Sequence, residues 1–535
     1  TCALPISWLE EQDGEPARIA LHWIDGGKPQ RALPWLDRAS DAAKRALRIK
    51  EYIAFLERKS AIEEDAGDAR QAFDSLHPAV EEAISVGVEG ESGHAYCDRL
   101  DRLARTPRQF GQAALLRAAL YTQRGEGEQA LAVAQRAVEL CNAVDDEALR
   151  MHAAKTLGYA YVVANRFKDA AQCIEDCIAW FDAHADDAER ADAHVSLALA
   201  YDNIGRLDDA VPHHRIACEL THRAGDLQNA SVAYCNAGRN RSFAGDLEAA
   251  EHDLLLAEQL LGAYEGFGAH LGTVRLIRAM LLAQLGRLRE ALDETNEALV
   301  WVQTYQPGHV PLARIRLAAC WWQLGQWARL NKELDQITIG PQATQVVRVG
   351  HARLRWVYAR ATGADPQLQL QARDAMARVL QEIPPGERPD LRLPLELELA
   401  DEADPHKALL QIDAAREHAR RMGYRNIELA ARLRAATVAV VCDPTRARRE
   451  ALEALTLHQQ GRRTTAVLPA EVWLRIAGAL EAAGDRAHAG EVAAEGRDWV
   501  QRIARTEVPE PFRDSYLHQN PINRDLLALA ARIAR

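Results

Sequence analysis

The sequence predicts an all-α fold, a superhelical solenoid of helical hairpins with a period of about 40 residues. Three observations predict it. The first is a turn residue at nearly constant spacing: Gly125, Asn165, Gly205, Gly245, Gly286 and Gly325 follow one another in almost equal steps. Glycine or asparagine suits a helix end that needs positive φ. The second is the residue five positions later, Ala130, Ala170, Ala210, Ala250 and Ala291, with Leu330 in the sixth copy. A small residue there lets the second helix of a hairpin approach the first. The third is helical spacing on both sides of the turn. Leu157, Gly158 and Tyr161 share one face before Asn165, and Ala170, Ile174 and Cys177 share one after it. The following copy repeats the pattern with Leu197, Ala198, Tyr201, Ala210 and Ala217. Large side chains that enter the space left by small ones pack two helices without a void. An internal period of this size marks a stack of hairpins, each packing mainly on its neighbours, and not a globule with a pocket.

Each part of the chain follows from the same reading. Residues 1–7, Thr-Cys-Ala-Leu-Pro-Ile-Ser, resemble a translated sequencing adapter and are set aside, so the chain reads as a C-terminal fragment. Residues 8–47 are expected to form linker-like helices leading into the repeats. The repeat array spans 48–382 and opens with a hairpin turning at Gly67, with Ala72 five positions on; 85–108 is an insertion or a degenerate helix. Another turn is expected at Gly363, with Asp365 and Pro366 as cap and first-turn residue. Pro384, Pro385, Gly386 and Pro389 predict an irregular hinge over 383–403, because a helix interior rejects proline. Residues 404–507 carry degenerate C-terminal repeats, and 508–535 a capping helix and tail. About ten to twelve hairpins result, in a right-handed superhelix.

The formal charge of -12, with 27% charged residues of interspersed sign, excludes a strongly cationic surface and so argues against direct nucleic-acid binding. No apolar run approaches the roughly 20 residues needed to cross a bilayer. The nine cysteines are scattered, as in a reducing cytoplasm. Cys173 and Cys177 share a helix face but lack a second close pair, and core packing is their expected role. His213, His214 and His222 lack the spacing of a helical metal site and are expected on a solvated or half-buried face. No metal and no cofactor is expected. Neither a phosphate-cradling glycine loop with its lysine nor an HExxH run is present, so no catalytic residues are assigned.

The repeat resembles the tetratricopeptide repeat. In that family a tryptophan-leucine-glycine-tyrosine pattern on the first helix precedes alanine, an apolar residue and alanine on the second. Leu157, Gly158, Tyr161, Ala170, Ile174 and Cys177 occupy those positions. The period exceeds the family's usual length, and Ala118, Ala198, Ala279 and Ala318 replace the helix glycine kept at Gly158 and Gly238. The longer unit, the histidine-aromatic pair His22-Trp23, and the tail with Phe512, Arg513, Asn520, Arg524, Leu526 and Leu527 resemble sensor regions of large bacterial signalling regulators. These are the ATPase-linked class III nucleotide cyclases and the LuxR/MalT-like type.

The resemblance implies a concave working face formed by successive first helices. By register it carries His152, Lys155, Tyr159, Asp192, Asp202, Cys235, Arg239, Met280 and Trp322. Lys155 matches one position of a carboxylate-clamping set, whereas Tyr159 stands where asparagine is wanted, and carboxylate capture is not expected. Trp321 and Trp322 face differently, so at least one is expected to be buried. The implied function is that of a cytoplasmic regulatory or sensor module without catalysis of its own. It would bind a protein or peptide partner, or a small-molecule effector, and relay that binding to an upstream output domain. The alternatives are a free-standing scaffold and an enzyme with a site between repeats.

Overall fold

Aspartate and threonine caps start the repeating helices. Thr106, Asp146, Asp186 and Asp226 recur at one constant interval, and each side chain accepts a hydrogen bond from a backbone amide of the helix it opens. At the other end of each helix, the amides of Glu126, Arg166 and Arg206 donate back to the carbonyls of Tyr121, Tyr161 and Tyr201 at 2.8–2.9 Å. That bond lets a left-handed residue close the turn. The period visible in the turns is thus also present in the caps.

The computed structural model describes residues 15–46, 48–85, 91–262, 268–340, 343–400 and 404–535. The expected adapter stretch lies outside them. Among the described residues there is no strand, and the chain is an all-α stack of helical hairpins. It divides into two units, Thr1–Ala185 and Asp186–Arg535.

The first unit begins with helices α1 (Pro16–Asp25) and α2 (Leu33–Arg45). Three hairpins follow. They are α3 (Ile49–Asp65) with α4 (Ala69–Ser85), α6 (Pro107–Gln123) with α7 (Gly127–Asn142), and α8 (Glu147–Val163) with α9 (Phe167–His184). Between the first two lies α5 (Glu91–Leu103), in the stretch expected to hold an insertion or degenerate helix. Gly67, Gly125 and Asn165 hold the hairpin turns at φ +83°, +72° and +58°. Close approach is real at Gly158, where an added Cβ would stand 2.5 Å from Ile174 Cγ1. The core is a series of small clusters between neighbouring helices, such as Ala118, Ala130, Ala134 and Ala160.

The second unit continues the array. Its hairpins are α10 (Asp187–Ile204) with α11 (Leu207–Ala224), α12 (Leu227–Phe243) with α13 (Leu247–Gly262), and α14 (Gly268–Gln284) with α15 (Leu288–Tyr305). Then come α16 (Val310–Gln323) with α17 (Trp327–Asp335), and α18 (Gln345–Ala361) with α19 (Pro366–Gln381). The Asp365 cap is present, accepting from the Gln367 amide at 2.7 Å. The expected hinge needs correction. Residues 383–388 are not helical, as expected, but Pro389–Leu399 is a helix, α20, which Pro389 enters in the first turn, where a missing N–H costs nothing, and which holds Pro394 in its interior. Six further helices follow: α21 (Pro405–Arg421), α22 (Arg425–Ala439), α23 (Pro444–Gln459), α24 (Pro469–Ala482), α25 (Arg486–Thr506) and the closing α26 (Pro521–Ile533).

This second unit departs from a simple solenoid, in which repeats touch only their neighbours. Its later helices return to the turns of its earlier hairpins, in order. The Tyr424 hydroxyl donates to the Asp202 carbonyl at 2.8 Å, and the Arg388 amide to the Asn203 carbonyl at 2.8 Å. The Arg463 amide donates to the Gly245 carbonyl at 3.1 Å. Trp499 and Ile503 pack at Gly286. Around Gly325, Ser515 Oγ donates to the Leu324 carbonyl at 2.7 Å and Asn520 Nδ2 to the Gln323 carbonyl at 2.9 Å. One buried cluster consequently runs from Leu282 and Trp321 through Leu429 and Trp473 to Ala530. The tail expected as a cap also serves as a brace across the array.

Candidate functional site

Aromatic and charged side chains meet at several places among the described residues, and two of these groups involve the residues that the register singles out. The first is on α8 in the first unit. His152, Lys155 and Tyr159 recur at helical spacing along this first helix, as the register predicts. Tyr159 is 43% exposed, while His152 and Lys155 are half-buried. The His152 ring stands edge-on to Phe181 at 5.2 Å and to Trp180 at 6.2 Å. Lys155 Nζ lies over the Phe181 ring at 5.4 Å. The second helix of the hairpin therefore supplies an aromatic backing for the cationic and aromatic residues of the first.

The remaining predicted positions fall in the second unit and do not form one face. Asp192 is exposed on α10, and Met280 is half-buried on α14. Asp202 is not a groove residue: it is 1% exposed, with His214 Nε2 at 3.0 Å and Asn240 Nδ2 at 2.7 Å from its carboxylate. Arg239 Nη2 stands 3.5 Å from the same group. The backbone carbonyl of Asp202 receives the Tyr424 hydroxyl, so this cluster secures the returning helices. His214 is correspondingly buried at 3% exposure, against the expectation of a solvated or half-buried face. Cys235 is buried, and burial pushes its thiol up to about 11. Trp321 is buried and Trp322 half-buried, as their adjacency requires. The Cys173 thiol donates to the Ala154 carbonyl at 3.2 Å and Cys177 to the Ile174 carbonyl at 3.4 Å.

Trp322 leads to the second place. It lines a cavity of about 700 Å³ inside the second unit, walled by α16, α18, α20, α22, α24 and α26. The return of the later helices creates this cavity. Arg353, Trp356 and Arg360 stand on one face of α18, at spacings of three and four. Arg353 Nε donates to Glu398 Oε1 at 2.6 Å, and its guanidinium also bonds the Ala466 carbonyl. Arg475 pairs with Glu471 at 2.5 Å, and Arg524 with Asp525 at 2.9 Å. Arg353 lies 5.9 Å from the Trp322 ring centroid and Arg360 5.4 Å from that of Trp356. Sequence reasoning found only Trp322 here. The arginine-tryptophan-arginine stripe of α18 is a readable signal, but its partners come from helices as distant in the chain as α26, which spacing cannot connect.

No protein-family profile matches the sequence, and no curated protein matches it at a significant level. Solved structures do align with it. A Rap protein complexed with competence and sporulation factor is 11% identical with a TM-score of 0.47, covering 69% of this chain and 99% of that one. The Cut9–Hcn1 hetero-tetramer of the APC/C aligns at 11% identity and a TM-score of 0.46, over 94% of this chain and 96% of that one. The Rap conjugation gene regulator of plasmid pLS20, in complex with the Phr* peptide, is 12% identical with a TM-score of 0.41, covering 62% and 96%. At these identities and TM-scores the fold assignment stands on this chain's own helices. Among the described residues, no helix is long and apolar enough to cross a membrane.

Proposed function

We propose that this chain is a regulatory interaction module that acts by binding and not by catalysis, taking a protein or peptide segment on the first-helix face of its first unit. The observation that carries the reading is Tyr159, 43% exposed beside half-buried Lys155 and His152, with Trp180 and Phe181 behind them. Aromatic and cationic anchors on a rigid backing are the residues that dominate binding energy at protein interfaces. The finer reading is that the module belongs to a multidomain bacterial signalling protein and relays occupancy to an output domain.

Selection of a displayed random-peptide library on the purified chain tests the face. Peptides should converge on a sequence whose binding falls at least about tenfold, roughly 1.4 kcal/mol, when His152, Lys155 and Tyr159 are replaced together by alanine. Convergent peptides indifferent to that triple variant would place the interaction elsewhere. A library that never converges would overturn the module reading.

A further inference from the structure

We propose that the groove beside α17 in the second unit is a docking site for a short amphipathic helix of a partner protein, apolar on the face it buries and carrying a carboxylate for Arg378. The first observation is the length of α17. It has 9 residues, whereas the second helices α7, α9, α11, α13, α15 and α19 have 16 or 18. About two turns, roughly 10–14 Å of helix, are therefore missing from this hairpin. The chain continues through 336–340 without helix.

The groove begins where α17 stops. Arg355 Nη2 donates at 2.7 Å to Asp335, the last residue of α17. Arg355 also lines the groove, as do His351 and Arg348, which carry the same face of α18 toward its start. A helix with its side chains is about 10–12 Å across, wider than a single non-helical run of chain. The space left is a groove of about 680 Å³, with Ile339 and Gly340 on one wall. The other wall is α19, where Leu368, Ala372, Ala375 and Val379 recur at spacings of four, three and four. Leu368 and Ile339 are exposed large apolar side chains above a floor of alanines. That arrangement suits the anchors of an amphipathic helix, which recur at i, i+3, i+4 and i+7.

Arg378 adds a charge requirement. Arg348 is held by Glu382 and Arg355 by Asp335, each at 2.7 Å. The Arg378 guanidinium, exposed on α19 at the same groove, has no ion pair or hydrogen bond among the described residues. A carboxylate on the docked helix would supply one, in the forked geometry that guanidinium favours.

The test uses the full chain with His152, Lys155 and Tyr159 replaced by alanine, so that the face on α8 takes no part. A displayed library of helix-forming peptides of about 15 residues, randomised along one face, is selected on it. The peptides should converge on apolar residues with Asp or Glu beside them. Ala375→Trp, which fills the floor, and Leu368→Gln, which removes an exposed anchor and leaves the core intact, should each weaken a selected peptide at least about tenfold, roughly 1.4 kcal/mol. Thermal melts verify the fold of both variants. Arg378→Glu should weaken the same peptide, and exchanging its acidic residue for lysine should restore binding. A proline in the middle of the peptide should abolish binding. Peptides indifferent to both groove variants, or a library that never converges, would overturn the site. Tolerance of the proline would overturn the helical occupant, and failure of the charge exchange would overturn the role of Arg378. Self-association of the chain that Ala375→Trp abolishes would overturn the partner protein in favour of a second copy. None of these results bears on the peptide-binding reading of α8.

Discussion

The hairpin turns of the two units carry the same local signal under different constraints. In the first unit Gly67 and Gly125 hold left-handed backbone, and an added Cβ at either would meet nothing within 4 Å. In the second unit Gly205, Gly245, Gly286 and Gly325 hold the same backbone, but each lies against a later part of the chain. A Cβ on Gly205 would strike Met422, one on Gly286 would stand 2.8 Å from the Trp499 ring, and one on Gly325 2.5 Å from the Ser515 carbonyl oxygen. Identical turns therefore act as plain punctuation at Gly67 and Gly125 in the first unit and as docking points at these four positions of the second, where Gly363 and Gly484 remain open. The core follows suit: clusters between neighbours in the first unit, and in the second, beside smaller ones, a large cluster that joins Leu282 to Ala530.

The sharpest way to break this comparison is a matched pair of substitutions. Gly125→Ala should cost about 1–2 kcal/mol, the strain of an L side chain in left-handed backbone. Gly325→Ala carries that strain and also drives a methyl into the Ser515 carbonyl and the Asn520 amide, neither of which can rotate away. Overpacking against fixed backbone adds about 1–3 kcal/mol, for a total of roughly 2–5 kcal/mol. Hydrogen exchange of peptides from each unit, followed through urea unfolding, separates the two effects. Equal costs at the two glycines would mean that the tail does not bear on the turn.

Acid should distinguish the units next. His458 is 8% exposed, edge-on to Trp473 at 4.8 Å, and burial with the nearby Arg463 charge lowers its pKa to about 4. The unfolded chain binds a proton near pH 6.5 that the folded chain takes up only near pH 4. The stability gained from a neutral His458 is therefore complete above pH 6.5 and is lost as pH falls toward 4, by about 3 kcal/mol. The second unit should open first around Trp473 and Trp499 on acidification. Burial also lowers the pKa of His309 and His351, and that of His77 in the first unit, so some acid sensitivity should survive in His458→Gln. The slope between pH 4 and 6.5 should nevertheless flatten in that variant. An unchanged slope would mean that His458 is not the group that resists protonation.

This contrast explains what could be read from the sequence and what could not. Turn glycines, alanines five positions on and helix-face periodicity are local signals, and the hairpins they predict are present. The caps at Thr106, Asp146, Asp186 and Asp226 are equally local signals, and reading them would have placed the same helix starts. Pro389 misleads because proline reads as a breaker wherever it stands, yet costs nothing in a first turn. The return of the later helices has no sequence period. It depends on Tyr424 reaching Asp202 and on Ser515 and Asn520 reaching Leu324 and Gln323, contacts between distant parts of the chain. Register places Asp202 in the groove because its spacing along α10 fits, but its carboxylate is held by His214 of α11 and by Asn240 and Arg239 of α12. The cavity is invisible in the sequence on the same grounds, except for Trp322.

The smallest expected effect tests the other side of the comparison. Asn165 is exposed and holds its turn at φ +58°, the one array turn between Gly125 and Gly325 not made by glycine. Asparagine tolerates left-handed backbone better than other L residues do, though not as well as glycine. With open surroundings nothing else selects against it, so Asn165→Gly should change stability by no more than about 0.5 kcal/mol. The reciprocal Gly205→Asn meets Met422 and Pro389 and should destabilise the second unit by several times as much. Thermal melts of the two variants decide between readings. A large effect at Asn165 would show that its side chain is used, and the first unit's turns would then be docking points as well. A small one leaves Asn165 as the mark of a turn that nothing in the described chain covers.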